Sequence, residues 1–295
     1  MKFLDLFAGI GGFRLGLEQA GHTCVGFVEI DKFARKSYEA IFDTEGEYTE
    51  HDINKVNTKE LPEADIWCFG FPCQDISVAG KQKGFEGNRS SLFFAVTRKL
   101  HELEDKKKPS YLLIENVKNL LSINSGWDFA SLQIELDSLG YDIEWDVLNS
   151  KEVVPQNRER VFIIGHFRGR HTRKVFPIIR KDGQTNKTIK EVARIYPNRH
   201  SSDANSVIDP SGISHTVTAH SYKDSPKILV NQLGIRKLTP RETWRLQGFP
   251  DWAFDKAKDA GLSNSQLYKQ AGNSVTVPVI YEIAKRMNWE EEDDD

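Results

Sequence analysis

Residues 2–20 read KFLDLFAGIGGFRLGLEQA, a strand-like apolar run (Lys2–Phe7), a glycine-rich turn and a helix-like stretch (Gly12–Ala20). Strand, turn and helix in that order open a parallel crossover, since parallel neighbours need a connection long enough to return along the sheet. The alternation continues. Further strands are expected at Cys24–Glu29, Ile66–Phe69, Tyr111–Glu115, Asp142–Leu148 and Val161–His166, with helices at Lys32–Phe42, Ser91–Leu103 and Trp127–Leu139. In the last of these, Phe129, Leu132, Leu136 and Leu139 recur at helical spacing. The reading is an open α/β sheet, mostly parallel, with helices on both faces.

From about 167 to 235 the texture changes: Pro, Ser, Asn and basic residues dominate and helical periodicity is lost. A second, smaller and irregular domain is expected there. Order returns at Leu238–Gln247, where Thr239-Pro240-Arg241-Glu242 supplies an N-cap, a proline at the first helical position and an acid at the third. A last helix, Pro278–Met287, carries Val279, Ile280, Ile283, Ala284 and Met287 on one stripe. The domain reading is therefore 1–166 with 269–295 as one unit and 167–268 as the other.

The 295 residues are 39% hydrophobic and 28% charged, which excludes a disordered or collagen-like chain. No apolar run approaches the roughly 20 residues of a membrane span, and Met1-Lys2-Phe3-Leu4-Asp5 does not open a secretory signal. Three cysteines (Cys24, Cys68, Cys73) are too few for a disulfide framework, so a reducing, cytoplasmic compartment is expected. The formal charge of −3 includes six consecutive acids at 290–295; setting them aside reverses it to +3. Between Arg158 and Arg199 stand twelve Lys or Arg against three acids. Such a block is either a solvated face or a surface for a polyanion.

The glycines of Ala8–Gly12 would let backbone approach a ligand at the sheet's carboxyl edge, where such folds bind nucleotides. Glu29, ending the second strand, stands where ribose hydroxyls are held, or is a plain surface acid. Asp52 is either an acceptor for an adenine amino group or a turn residue. Gly70-Phe71-Pro72-Cys73-Gln74 follows the strand Ile66–Phe69, so Cys73 lies in a rigid turn beside the candidate nucleotide site and is a nucleophile candidate. Cys24 and Cys68 read as inert buried thiols. Glu115-Asn116-Val117 ends another strand; its carboxylate either exchanges a proton with a bound ring or caps the strand. In Gln156-Asn157-Arg158-Glu159-Arg160 the two arginines share one side of an extended chain and hold a phosphate or carbonyl oxygen, or pair with Glu159. No cysteine or histidine spacing offers metal ligands.

Together these phrases resemble the DNA (cytosine-5) methyltransferases of the bacterial restriction–modification type. DLFAGIGG (Asp5–Gly12), GFPCQ (Gly70–Gln74), KQKGF (Lys81–Phe85), ENV (Glu115–Val117), QNRER (Gln156–Arg160), RKLTPRETWRLQGFPD (Arg236–Asp251) and QAGNSV (Gln270–Val275) occur in the family's order. The resemblance covers 2–166 and 236–287 almost continuously. It implies a Rossmann-like S-adenosylmethionine-dependent methyltransferase sheet with a smaller target-recognition domain, whose region 167–235 reads the DNA. It implies Cys73 as nucleophile at carbon 6 of a flipped cytosine, Glu115 at ring nitrogen 3, and Arg160 at the carbonyl oxygen 2. Arg158 and Gln156 would support that pocket.

By the same resemblance the cofactor is S-adenosylmethionine, surrounded by Phe7, Ala8, Gly9, Gly11, Gly12, Glu29, Ile30, Asp52, Ile53, Leu92, Asn273 and Ser274. The target base would meet Phe71, whose carbonyl recognises the exocyclic amine, with Pro72, Asn116, Thr216 and Val217. The loop with Ser77, Lys81 and Arg89 would clamp the DNA. The implied partner is double-stranded DNA, engaged by a monomer, with room for a cognate restriction endonuclease. A transfer-RNA methyltransferase of the same fold is the neighbouring alternative, but that subfamily carries a Cys-Phe-Thr motif and 167–235 holds no cysteine. A non-catalytic DNA-binding relative would lack the nucleophile, and a nicotinamide oxidoreductase leaves GFPCQ and ENV unexplained.

Overall fold

Seven strands build the larger sheet, in the order β3–β2–β1–β4–β5–β7–β6. They are β1 (Lys2–Leu6), β2 (Thr23–Val28), β3 (Tyr48–Glu50), β4 (Ile66–Gly70), β5 (Tyr111–Val117), β6 (Tyr141–Asn149) and β7 (Glu159–Phe167). The structure is a computed structural model that describes residues 1–71, 92–178, 188–196, 203–230 and 234–288. β1 to β5 run parallel, and β7 inserts antiparallel between β5 and β6. Ile66–Phe69 and Tyr111–Ile114 are buried throughout, as expected of central strands with both faces covered.

Helices α1 (Gly12–Gln19), α2 (Lys32–Ile41), α3 (Leu92–Glu102) and α4 (Trp127–Ser138) make the crossovers. On one face Phe93, Val96 and Leu100 of α3 and Leu132 and Leu136 of α4 pack against Trp67, Phe69, Leu112 and Ile114. On the other, Leu17 of α1 meets Ile280, Ile283 and Met287 of α8 (Val277–Met287). Each of these fully buried side chains stabilises the fold by roughly 1.5–3 kcal/mol.

The segment read as irregular carries a four-stranded sheet, ordered β11–β10–β9–β8: β8 (Glu191–Arg194), β9 (Ser206–Ile208), β10 (Lys227–Val230) and β11 (Gly234–Lys237). Strands of three or four residues are too short to show alternation, which is why neither they nor β3 are legible in the sequence. Three helices follow: α5 (Pro240–Leu246), α6 (Asp251–Asp259) and α7 (Asn264–Asn273). The expected cap of α5 forms as a full capping box between Thr239 and Glu242. Trp244, Phe254 and Leu267 share a core with Ile10, Phe27 and Tyr38, so these helices lean on the large sheet's α2.

β1 ends at Leu6, one residue before its sequence reading, because Phe7 already has φ +53°. For a non-glycine residue that conformation is strained, and such strain collects at ligand sites.

Candidate active site

A cavity of about 430 Å³ opens at the carboxyl edge of the large sheet. It lies where β1 and β4 diverge, because the chain winds from β1 towards β3 on one side and from β4 towards β5 on the other. Loops from both directions part at such a point and leave a crevice.

Phe7, Ala8, Gly9 and Gly12 line one wall, with Glu29, Ile30, Leu92, Asn273 and Ser274. Glu29 accepts the Gly9 amide through Oε2 at 2.7 Å and the Asp31 amide through Oε1 at 2.7 Å, so it fixes the glycine turn. Burial pushes its carboxyl above the usual range although both N–H groups oppose this. At Gly9 a side chain would meet nothing closer than 4.0 Å, leaving backbone open to a ligand. Gly11 serves packing instead: a Cβ there would stand 2.2 Å from the Phe42 ring, and the residue does not line the cavity. Asp52 caps a short helical turn through the Asn54 amide at 3.0 Å, and Ile53 is buried in the core; neither lines the cavity.

The opposite wall is built by register. Arg160 faces Val117 across the β5–β7 ladder, and Glu115 lies two residues back on the same face. Arg160 Nε meets Glu115 Oε1 at 3.0 Å, with side-chain exposures of 17% and 13%. Burial raises the Glu115 carboxyl above its usual range, and the charges of Arg160 and Arg158 pull against that rise. A carboxyl raised in this way gives up a proton less readily than an exposed one, which suits it to general-acid work. A Cβ on Gly70 would reach within 3.0 Å of Glu115 Oε2, so that position keeps room for the acid. Asn116 donates from Nδ2 to the Phe71 carbonyl at 2.8 Å, tying the end of β5 to the residue that leads into Pro72 and Cys73. That carbonyl, expected to recognise an amine, already accepts one hydrogen bond and keeps a second lone pair.

Arg158 reaches the cavity lining while Gln156 acts behind it. The Arg158 guanidinium is buried and donates to the carbonyls of Val217 (2.9 Å), Gly272 (3.2 Å) and Ser274 (2.9 Å). Burial pulls its pKa down to about 9. Gln156 accepts the Val217 amide at 2.7 Å and donates to Leu246 O at 2.9 Å. Thr216 donates to Asn157 O at 2.6 Å. Thr216 and Val217 thus meet the cavity's support, not its lining. Glu159 pairs with Lys118 at 3.0 Å and with neither arginine.

Cys73, Pro72, Ser77, Lys81 and Arg89 lie outside the described residues. The basic block divides: Arg158 and Arg160 turn inward, Arg168 pairs with Asp137 and Asp142, and Arg194 pairs with Glu191 at 2.6 Å. Asp31, Lys269, Gln270 and Gly272 also line the cavity, and Lys269 Nζ meets Asp31 Oδ2 at 2.8 Å. Sequence reading passes over them, although all four sit within two residues of Glu29 or of the QAGNSV phrase.

Comparison with known proteins finds one family. The model of the family described as C-5 cytosine-specific DNA methylase matches residues 1–211 and 186–289. Type II methyltransferase M.SsoII of Shigella sonnei is 37% identical over 97% of this chain and 79% of its own length. Type II methyltransferase M.HhaI of Haemophilus parahaemolyticus is 36% identical over 96% of this chain and 93% of its own. Among solved structures, the S. pombe Dnmt2 methyltransferase superposes with a TM-score of 0.72 at 19% identity, covering 96% of both chains. The Entamoeba histolytica methyltransferase EhMeth gives 0.70 at 17% identity, covering 97% of both. These two likenesses concern the fold.

Proposed function

The chain belongs to the C-5 cytosine-specific DNA methylase family, and from that premise we propose that it is a sequence-specific DNA (cytosine-5) methyltransferase using S-adenosylmethionine. The observation that carries the reading is the Glu115–Arg160 pair at 3.0 Å in a wall of the cavity whose other wall holds Glu29 and the glycine turn. One wall suits a nucleoside, the other a polar ring. Among the described residues no group of side chains could hold a metal ion, and no helix is long and apolar enough to cross a membrane.

S-adenosylmethionine, when bound, supplies an electrophilic methyl group. The Glu29 carboxylate keeps free lone pairs for ribose hydroxyls, and Gly9 leaves backbone exposed to the ligand. The chemistry needs a nucleophile because carbon 5 of an aromatic cytosine reacts poorly with electrophiles. Cys73 thiolate adds to carbon 6, and the ring's electrons pass to carbon 5. Glu115, whose carboxyl burial raises above its ordinary range, donates a proton to ring nitrogen 3 as negative charge accumulates there. Arg160 orients Glu115 and faces the carbonyl oxygen 2. After carbon 5 is methylated, a base removes its hydrogen and the Cys73 thiolate leaves, restoring the ring. A stacked base cannot present carbon 6, so the cytosine is flipped out of the duplex. Residues 167–235 read the flanking bases, as part of a unit 167–268 beside the unit 1–166 with 269–295. A place in a restriction–modification system, beside an endonuclease for the same site, completes the reading.

Purified protein with methyl-labelled cofactor should label double-stranded DNA and not transfer RNA. Bisulfite sequencing of DNA from expressing cells should show methylcytosine in one sequence context. Label on transfer RNA alone would replace this reading with the RNA one.

A further inference from the structure

Val217 is gripped at both ends of its backbone by alternate side chains of the segment leading into β7: its N–H by Gln156 and its carbonyl by Arg158. The segment beside it runs as an extra strip along 155–158, with Asn157 N–H on Ser214 O at 2.9 Å and Ser214 N–H on Pro155 O at 2.8 Å. The guanidinium that holds Val217 also holds Gly272 and Ser274, two residues of the cavity wall. A second contact joins the same two segments without any side chain. A Cβ on Gly272 would stand 2.0 Å from the Thr218 carbonyl carbon and 2.2 Å from the Ala219 nitrogen, so the two backbones touch. Cofactor wall and recognition segment are therefore joined twice, once by a shared buried cation and once by direct packing.

We infer that Arg158 is a positioning residue that couples the two ligand sites: ordering of the 272–274 wall by the cofactor is passed through its guanidinium to residues 215–221. The inference rests on the methyltransferase reading, since it takes that cavity as the cofactor's. Its physical basis is the planar fork of arginine, which spans carbonyls on two segments; a lysine nitrogen satisfies one side and leaves the other unheld. Linkage makes the effect reciprocal, so a protein whose recognition segment is ordered binds cofactor more tightly.

Hydrogen–deuterium exchange on the full chain tests it, with S-adenosylhomocysteine as the probe and no DNA. In the unaltered protein the probe should slow exchange both in peptides spanning 7–12 and in those spanning 215–221, by about tenfold, the middle of the usual coupling range. In Arg158→Lys the slowing at 7–12 should persist while that at 215–221 falls at least threefold. Slowing at 7–12 alone in the unaltered protein would overturn the coupling and leave the methyltransferase reading standing. Undiminished slowing at 215–221 in Arg158→Lys would overturn Arg158's part in it. Absence of slowing at 7–12 would remove the cofactor reading itself, and the coupling with it. If Arg158→Lys shows no cooperative melting transition, Gly272→Ala serves instead: it parts the touching backbones and keeps the guanidinium, so probe-induced slowing at 215–221 should persist. Its complete loss there would assign the coupling to the packing contact and overturn Arg158's part.

Discussion

Arg160 holds Glu115 through Nε at 3.0 Å although the two belong to strands that run in opposite directions. The antiparallel insertion of β7 is what brings this about. Had β7 run parallel to β5, its first residues would lie at the other edge of the sheet, and QNRER would be far from ENV. The reversal brings the amino end of β7 to the carboxyl end of β5, and one register step sets the arginine diagonal to the acid.

Replacing Glu115 by Gln keeps the shape and a hydrogen-bond donor but removes the proton that can move. Turnover should fall 10²–10⁴-fold, the usual range for a lost general acid. S-adenosylhomocysteine should bind within about threefold of the unaltered protein, because Glu115 stands on the opposite wall from Glu29. Equal loss of turnover and cofactor affinity would show that the residue is structural.

Burial raises the Glu115 carboxyl, and Arg160 opposes that rise. Arg160→Met removes the opposing charge, so the carboxyl should stay protonated to higher pH. Since donation to the ring needs the protonated form, the alkaline limb of kcat/KM should move upward in this variant even as the rate drops. A limb that stays in place or moves down would assign the proton to another group.

At Gly70 an added methyl would lie 3.0 Å from Glu115 Oε2, tighter than ordinary contact, and no positive φ forbids the change. Gly70→Ala should therefore fold, with a melting temperature within a few degrees of the parent. Displacement of the acid should lower turnover roughly tenfold, given how steeply catalysis depends on placement. Methyl-transfer assays beside a melting curve separate the two effects.

Legibility followed length and periodicity. Strands β1, β2, β4, β5, β6 and β7 and helices α1 to α4 announce themselves because strands of five or more residues rich in apolar side chains, or a full helical stripe, outweigh local noise. β3 and β8–β11 offer three or four residues each, and Asp251–Asp259 buries only Ala253, Phe254 and Ala257. Of the site, Glu115, Glu29 and Gly9 were readable because each ends a strand or sits in a turn at the carboxyl edge, and Arg160 because it opens a strand within the QNRER phrase. The partners of Arg158 were not: three backbone carbonyls carry no residue type, and their approach is fixed by tertiary packing. Gly11 misled for a related reason, since a glycine that yields to a ring and one that yields to a ligand look alike in sequence.

The Arg236 guanidinium and the capping box lower the Glu242 carboxyl from its ordinary 4.5 to about 2. A depressed folded pKa means that the ionised form stabilises the fold above the unfolded value, and that this contribution fades as pH falls from about 4.5 towards 2. Glu242→Gln keeps the capping-box acceptor and should cost about 0.5–1 kcal/mol at pH 7, the worth of a partly exposed ion pair. Urea unfolding at pH 7, 5 and 3.5 should show parent and variant converging at the acid end. A constant gap across these conditions would mean the carboxylate's charge contributes nothing.

The mechanism stands or falls on Cys73, and the chemistry of elimination supplies a direct test. Addition of the thiolate to carbon 6 is undone only when the hydrogen on carbon 5 is removed after methylation. Fluorine in that position would have to depart as a cation, which no base can effect. Duplex DNA with 5-fluorocytosine at the methylated site should therefore trap the protein covalently when S-adenosylmethionine is present, and not when it is withheld. The adduct should survive denaturing electrophoresis, and digestion should locate it on the Cys73 peptide. Cys73→Ser should abolish trapping, because a serine hydroxyl ionises far less readily near neutral pH. Cys24→Ser and Cys68→Ser should trap as before; burial pushes the Cys24 thiol up to about 12 and raises that of Cys68 well above its ordinary value, so neither offers a thiolate. An adduct on either of those peptides, or undiminished trapping by Cys73→Ser, would refute the assigned nucleophile.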